Sequence, residues 1–158
     1  MNIKLLREIQ ELIAARTDAI IMDVFVTGNK DNNKQYKDFD CKTAGCIAGW
    51  AILLGAPEKI KEPGQIFTEN YVATANSLLE LEINPKTLFY PDYWPINFMK
   101  AITKKYEFDF QTFIDRDFED TWAFRRDLYD LRHSTSENMK KYAEICSARI
   151  DWLIEKNE

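Results

Sequence analysis

The chain has 158 residues, of which 46% are hydrophobic, 30% charged and 13% aromatic. This length suits one domain with its own core, because a single core usually holds about 100–200 residues. With only 5 glycines and 5 prolines, the composition excludes a disordered, collagen-like or low-complexity chain. We predict a single helical domain over residues 1–158, all-α or mainly α, with room for one short β segment near residues 20–26.

The charge balance limits the class of partner. Lys and Arg number 21 against 26 Asp and Glu, which gives a net charge of -5. This balance argues against general nucleic-acid binding, which needs an excess of basic residues to neutralise phosphates, but it leaves a local basic pocket open. No apolar run approaches the ~20 residues that cross a membrane, and the N-terminus is amphipathic rather than signal-like. We therefore expect a cytoplasmic protein without membrane contact, with its 3 cysteines reduced.

In the first half of the chain, apolar spacing predicts two helices and a loop. The first helix spans about residues 2–16, and the polar stretch 28–40 indicates an exposed loop. Thr43 is the predicted N-cap of a helix that starts at Ala44, is apolar nearly all round and ends at Gly55. Such a helix should lie at the centre of the fold.

In the second half, four further helices and a turn are predicted. The first runs from a cap at Thr68 to about Leu81, and a turn follows at residues 84–89. Residues 96–106 form the next helix, and another starts at Asp117. The pattern Ser134-Thr-Ser-Glu137 is typical of a capping box and opens a last helix that reaches about Lys156.

The most distinctive string is Cys41-Lys-Thr-Ala-Gly-Cys-Ile-Ala-Gly-Trp-Ala51. It places Cys41 just before a helix and Cys46 in its first turn, where the helix dipole lowers the pKa of a thiol. A reactive or redox pair is therefore one interpretation. The other is that both side chains are small buried hydrophobes, which is how Cys usually behaves. Gly45 and Gly49, four apart, are expected to share one helix face and to let a neighbour approach closely.

No metal site and no cofactor are predicted. Four residues supply soft donors for zinc, but they lack the two close pairs of a typical zinc module: Cys41, Cys46, His133 and Cys146. His133 is instead expected at a helix C-terminus, where its charged form suits the dipole. No catalytic residue is predicted either, because the chain has no phosphate-binding glycine loop, dinucleotide fingerprint or Ser-His-Asp constellation.

Two groups of side chains are candidates for binding. The first is an aromatic segment punctuated by Pro91 and Pro95, whose members either fill a gap between helices or present an interface: Tyr90, Tyr93, Trp94 and Phe98. The second is a set of arginines on one predicted helix, which either bind a phosphate or pair with the carboxylates of residues 115–120: Arg125, Arg126 and Arg132.

The cysteine string resembles the hallmark Cys-Gly-Thr-x-x-Cys-Ile/Val-Ala-Gly-Trp-Ala of small proteins often encoded by bacteriophages and mobile elements. The matching positions are Cys41, Thr43, Cys46, Ile47, Ala48, Gly49, Trp50 and Ala51, while Lys42 stands where the group has Gly. The segments Met22-Asp23 and Ala75–Leu81 are also similar. The resemblance implies a role in phage–host conflict and, for a phage-encoded chain, a place in the host cytoplasm. It implies no particular reaction.

The hypothesis we favour is a non-enzymatic accessory or anti-defence protein of phage type, which inhibits a host protein by binding it or sequesters a small nucleotide-like ligand. One alternative is a thiol-dependent enzyme or redox protein centred on Cys41 and Cys46. Another is a structural or assembly subunit, which would form a homo-oligomer.

Overall fold

The fold is all-α, as predicted. The computed structural model describes residues 1–22, 26–27, 44–59, 69–106 and 128–156. The helices of these residues are α1 (Ile3–Ala15), α2 (Ile47–Gly55), α3 (Glu69–Leu79), α4 (Lys86–Phe89), α5 (Ile96–Tyr106), α6 (residues 128–133) and α7 (Ser136–Lys156). Short 3-10 turns cover Thr17–Ala19, Pro57–Lys59 and Pro91–Tyr93. No helix of the described residues combines the length and the apolar character that crossing a membrane requires.

Helix α2 lies at the centre, which confirms the prediction from its apolar sequence. Every residue from Ile47 to Leu53 is buried, because α2 packs against α1 on one side and α3 on the other. Trp50 is fully buried, and its indole Nε1 donates to the carbonyl of Ala19 at 2.8 Å. That bond satisfies the one polar atom of a large apolar side chain and fixes the turn after α1 against the core.

The start of α2 differs from the prediction. Ala44–Gly45 form a strand, β2, that pairs antiparallel with β1 (Val26–Thr27), so that Val26 lies opposite Gly45. The main chain therefore stays extended up to Cys46, whose φ of -75° and ψ of 174° mark it as the N-cap. The predicted start at Ala44, the Thr43 cap and the shared helix face of Gly45 and Gly49 are wrong for this reason.

The short β segment expected near residues 20–26 is present at its two ends. Ile20 forms a parallel bridge with Gly45, and β1 begins at Val26. The predicted loop at 28–40, the Thr68 cap and the helix start at Asp117 lie outside the described residues.

Gly55 ends α2, as predicted, but not as a left-handed cap. Its backbone lies outside the left-handed region, and the cap is Ala56, whose N–H donates to Ile52 O. A Cβ on Gly55 would come within 3.3 Å of Leu5 on α1 and of Leu78 on α3. A larger residue here would require the two leucine side chains to shift by a few tenths of an ångström.

The first and last helices form one long antiparallel contact, although they come from opposite ends of the sequence. On α1, Gln10 Nε2 donates to the carbonyl oxygen of Ser147 on α7 at 2.9 Å, and Arg7 pairs with Asp151. Near the start of α7, the hydroxyl of Tyr142 accepts from the Met22 N–H at 2.7 Å. These bonds hold α7 against both α1 and the turn that follows it.

Candidate functional site

A groove of about 340 Å³ opens where α1, α5 and α7 meet. The end of α1 and the turn after it form one wall, the last two residues of α5 form another, and the middle of α7 forms the third. Its lining residues are Ile13, Ala14, Thr17, Lys105, Tyr106, Lys140, Ala143, Glu144, Ser147, Ala148 and Asp151.

The wall from α7 follows from helical spacing. Its residues, at positions 140, 143, 144, 147, 148 and 151, are separated by three or four and therefore share one face of the helix. Two of them, Ala143 and Ala148, carry only a methyl group. Small side chains between longer ones leave room above the helix, which is why this face holds a groove rather than a packed contact.

The floor of the groove is apolar. Ile13 and Ala143 are both buried at its base, and Ala14 and Ala148 add further methyl groups. The floor therefore suits an apolar or flat part of a ligand, since covering it removes apolar surface from water.

The charged side chains at the rim differ in whether they already have a partner. The carboxylate of Asp151 is paired with Arg7, and Glu144 Oε2 accepts from the Tyr106 hydroxyl at 3.3 Å. Lys105 and Lys140, by contrast, form no ion pair with any described residue. Neither ammonium group therefore has a described carboxylate partner, although Lys105 interacts with the Tyr106 side chain.

Tyr106 is held as a proton donor. Burial is the main cause that raises the pKa of its hydroxyl, and the charge of Glu144 adds to it, while Lys105 acts in the opposite direction. The Lys105 ammonium also lies 5.0 Å from the centre of the Tyr106 ring. The phenol therefore keeps its proton at neutral pH and can continue to donate to Glu144.

Ser147 is positioned by a chain of hydrogen bonds from α1. Arg7 donates to Gln10 Oε1 at 2.6 Å, which orients the amide, and Gln10 Nε2 donates to Ser147 Oγ at 3.2 Å as well as to its carbonyl. The serine oxygen is thus an acceptor from Gln10. No described residue accepts the serine's own proton, and Ser147 lines the groove.

The distinctive cysteine string is only partly described by the structure, and its described residues lie in the core. Cys46 is fully buried at the N-terminus of α2, and Gly49 and Trp50 are buried within that helix. In this conformation a substrate has no path to the Cys46 sulfur. Cys41 and Thr43 lie outside the described residues, so the thiol hypothesis stays a prediction.

The aromatic segment is divided between the core and the surface, and its use as an interface stays a prediction. Trp94 and Phe98 are buried and lie edge-to-face with centroids 5.4 Å apart, and Trp94 Nε1 donates to Leu88 O at 3.2 Å. Tyr93 is instead 52% exposed, and Tyr90 lies partly buried beside it, with ring centroids 6.2 Å apart. The segment fills the core with one half and faces solvent with the other.

Among the arginines, only Arg132 lies in the described residues, and it pairs with none of their carboxylates. Its guanidinium donates to the carbonyls of Asp18 and Ile20, at 3.0 and 3.1 Å, and so anchors α6 to the turn after α1. Arg125 and Arg126 lie outside the described part of the chain.

The weak zinc candidates are not brought together by the residues that the structure describes. Cys46 and Cys146 are buried, whereas His133 is exposed at the end of α6, stacked at 4.2 Å on Tyr129. Within the described ranges, no three His, Cys, Asp or Glu side chains form a group that could hold a metal ion.

Sequence reasoning missed the groove altogether. Its walls come from three helices, and no motif marks any of them. The usable signal was on α7, where Lys140, Glu144, Ser147 and Asp151 recur at helical spacing beside two alanines.

The chain matches no protein-family model, no curated protein and no solved structure.

Proposed function

We propose that the protein is a non-enzymatic binding protein that sequesters a small nucleotide-like anion in the groove between α1, α5 and α7. The observation that supports the proposal is the pair Lys105 and Lys140, which form no ion pair with a described residue and lie above an apolar floor. The resemblance of the cysteine string to small phage-encoded proteins supports an accessory or anti-defence role for such sequestration.

An anion is favoured over a cation because of which groups are already engaged. A ligand cation would compete with Arg7 for Asp151 and with Tyr106 for Glu144. A phosphate that contacts the lysines displaces no described ion pair. These contacts are exposed, so they should weaken as salt increases.

The size of the groove favours a single mononucleotide. Ligand pockets usually measure about 300–1,000 Å³, and this one, at about 340 Å³, lies at the lower end. A flat base or other apolar body would cover the alanines and Ile13, while the charged group reaches the rim.

The lining favours binding over chemistry. Among its described residues there is no histidine or cysteine to act as a base or nucleophile near Ser147, and Glu144 is occupied by Tyr106. A serine without a neighbouring base is a weak nucleophile, and here it is better suited to hydrogen bonding.

Calorimetry with the four ribonucleoside 5′-monophosphates, and with the matching nucleosides, tests the proposal. At least one monophosphate should bind, and its nucleoside should bind about tenfold more weakly or worse. The double substitution Lys105→Gln, Lys140→Gln should weaken the monophosphate about tenfold. The matched control, Lys100→Gln with Lys104→Gln, changes exposed lysines of α5 outside the groove and should leave affinity unchanged. No binding by any monophosphate, or equal binding by its nucleoside, contradicts the proposal.

A second candidate is inhibition of a host protein through the surface of Tyr93 and Ile96. These side chains are 52% and 50% exposed, three residues apart, and the Lys86 ammonium lies 5.5 Å from the Tyr93 ring centre. Exposed aromatic and aliphatic groups side by side are typical anchors of protein interfaces.

Affinity purification from bacterial lysate tests this candidate. A partner retained by the wild-type chain should be lost on Tyr93→Ser with Ile96→Ser but kept by Ile3→Ser, which changes an equally exposed residue elsewhere. A partner that survives the double substitution excludes this surface as its docking site.

A further inference from the structure

The polar side chains of the groove differ along its length. Lys140 and Glu144 lie one turn apart on α7, and Tyr106, which donates to Glu144, has the Lys105 ammonium beside its ring. Ser147 and Asp151 lie further along the helix. Seven residues separate Lys140 from Ser147, which corresponds to about 10 Å along the axis.

The two ends offer different groups to a ligand. The end at Lys140 and Lys105 presents ammonium groups that form no ion pair with a described residue. At the other end, Asp151 is neutralised by Arg7, so the group that remains available is the Ser147 hydroxyl.

The Ser147 hydroxyl lines the groove and has a proton that no described residue accepts. Its oxygen accepts from Gln10 Nε2 at 3.2 Å, and Gln10 is itself buried and held by Arg7. Since this lone pair is used, and no described residue takes the proton, the O–H can serve an acceptor on a ligand. Acceptance from an amide also polarises the hydroxyl and strengthens it as a donor.

We infer that the ligand is bipartite, with an acidic group bound at Lys105 and Lys140 and an uncharged hydrogen-bond acceptor bound by Ser147. This inference rests on the proposed function and adds which end of the ligand each wall recognises. In a nucleoside monophosphate the acidic group is the phosphate, and the acceptor is a ring nitrogen or carbonyl of the base. Gln10 is then a positioning residue, because it acts only through Ser147.

The test compares ribonucleoside 5′-monophosphates with ribose 5-phosphate, which keeps the phosphate and lacks the base. The wild-type chain should bind the preferred monophosphate more tightly than ribose 5-phosphate. Ser147→Ala should weaken the monophosphate about tenfold and leave ribose 5-phosphate unchanged, because only the base contact is lost. Ser147→Thr, which restores a hydroxyl, should recover the preference.

Ser136→Ala is the matched control, since it removes a hydroxyl from the first turn of the same helix, away from the groove. The fold should tolerate Ser147→Ala because Gln10 keeps its bond to the main-chain carbonyl of residue 147, and thermal unfolding checks this. If a monophosphate binds and Ser147→Ala weakens both probes equally or neither, the bipartite recognition is wrong while the proposed function stands. If no monophosphate binds the wild-type chain, the proposed function itself is wrong.

Discussion

Glu80 carries a backbone conformation that is costly for its residue type. Its φ of 51° is the one left-handed value among the described non-glycine residues. The bonds around it, Leu81 N to Asn76 O at 3.2 Å and Glu80 N to Ser77 O at 3.3 Å, form the Schellman motif that ends α3. Glycine usually occupies this position, since a Cβ there costs roughly 1–2 kcal/mol.

Glu80→Gly should therefore raise the free energy of unfolding, by about 0.5–1 kcal/mol after the added freedom of the unfolded chain is counted. The ion pair that is lost, with the Met1 ammonium at 4.0 Å, involves an exposed carboxylate and is worth little. Urea unfolding measures the change. Glu82→Gly, two residues on and outside the left-handed region, should instead be neutral or destabilising. A loss of stability in Glu80→Gly would contradict this account of the turn.

The burial of Arg149 could not be predicted from the sequence. It is fully buried on α7, its Nε and one terminal nitrogen donate to Thr87 O at 3.2 and 3.0 Å, and its guanidinium lies 5.5 Å from the Phe98 ring centre. Arginine is normally an exposed residue, so the sequence offered no reason to place it inside. The carbonyl that holds it belongs to α4, 62 positions earlier, and such a partner is visible only once the helices are packed.

At the scale of elements, the start of α7 is fixed by side chains one residue later than the capping-box pattern predicted. Thr135 Oγ1 accepts from Asn138 N at 3.2 Å, and Asn138 Nδ2 donates to Ser134 Oγ at 2.8 Å. The helix accordingly begins at Ser136. The pattern placed the cap correctly to within one residue because three neighbouring hydroxyls compete for the same role.

Thr135→Ala should lower the free energy of unfolding by about 1 kcal/mol, since it leaves a first-turn N–H without its acceptor. Ser134→Ala removes only the bonds to Asn138 Nδ2 and Leu131 O and should cost less. Chemical denaturation of both variants gives the comparison. A larger loss in Ser134→Ala would place the cap at residue 134 instead.

The helices themselves were the most predictable part of the fold. The predicted bounds of α1, α5 and α7 agree with the structure to within one or two residues, because each has a regular apolar stripe. The start of α2 was not predictable in the same way. It depends on the pairing of Gly45 with Val26, a contact between distant residues that no local pattern encodes.

At the scale of the whole molecule, the raised pKa values of two tyrosines predict how the free energy of unfolding changes at alkaline pH. The pKa of Tyr90 is raised above its ordinary value of 10.0 by burial first and then by Cys46 and Tyr93, and burial is the main cause of the raised pKa of Tyr106. Such a phenol loses its proton at a lower pH in the unfolded chain than in the folded one. Its contribution to stability is therefore complete below pH 10 and is lost as the pH rises through the folded pKa.

The double variant Tyr90→Phe, Tyr106→Phe should consequently lose less stability than the wild type between neutral pH and about pH 11. Urea midpoints measured for both chains across this range give the comparison. A difference between the two midpoints that stays constant with pH would contradict the raised pKa values.

The groove illustrates why sites are harder to predict than elements. Ile13, Tyr106 and Ser147 each follow from a correctly predicted helix, but the space between them exists only because those helices meet at particular angles and heights. The aromatic segment shows the same limit, since nothing local distinguishes the buried Trp94 from the exposed Tyr93.

The pairing of α1 with α7 also has a consequence for synthesis. Gln10 is synthesised early, and its partner Ser147 is added 137 residues later. Arg7 and its partner Asp151 are separated by 144 residues. A contact with this sequence separation closes a large loop and forms late. A nascent or prematurely terminated chain that lacks α7 therefore has the residues of two of the groove's three walls but cannot form the groove.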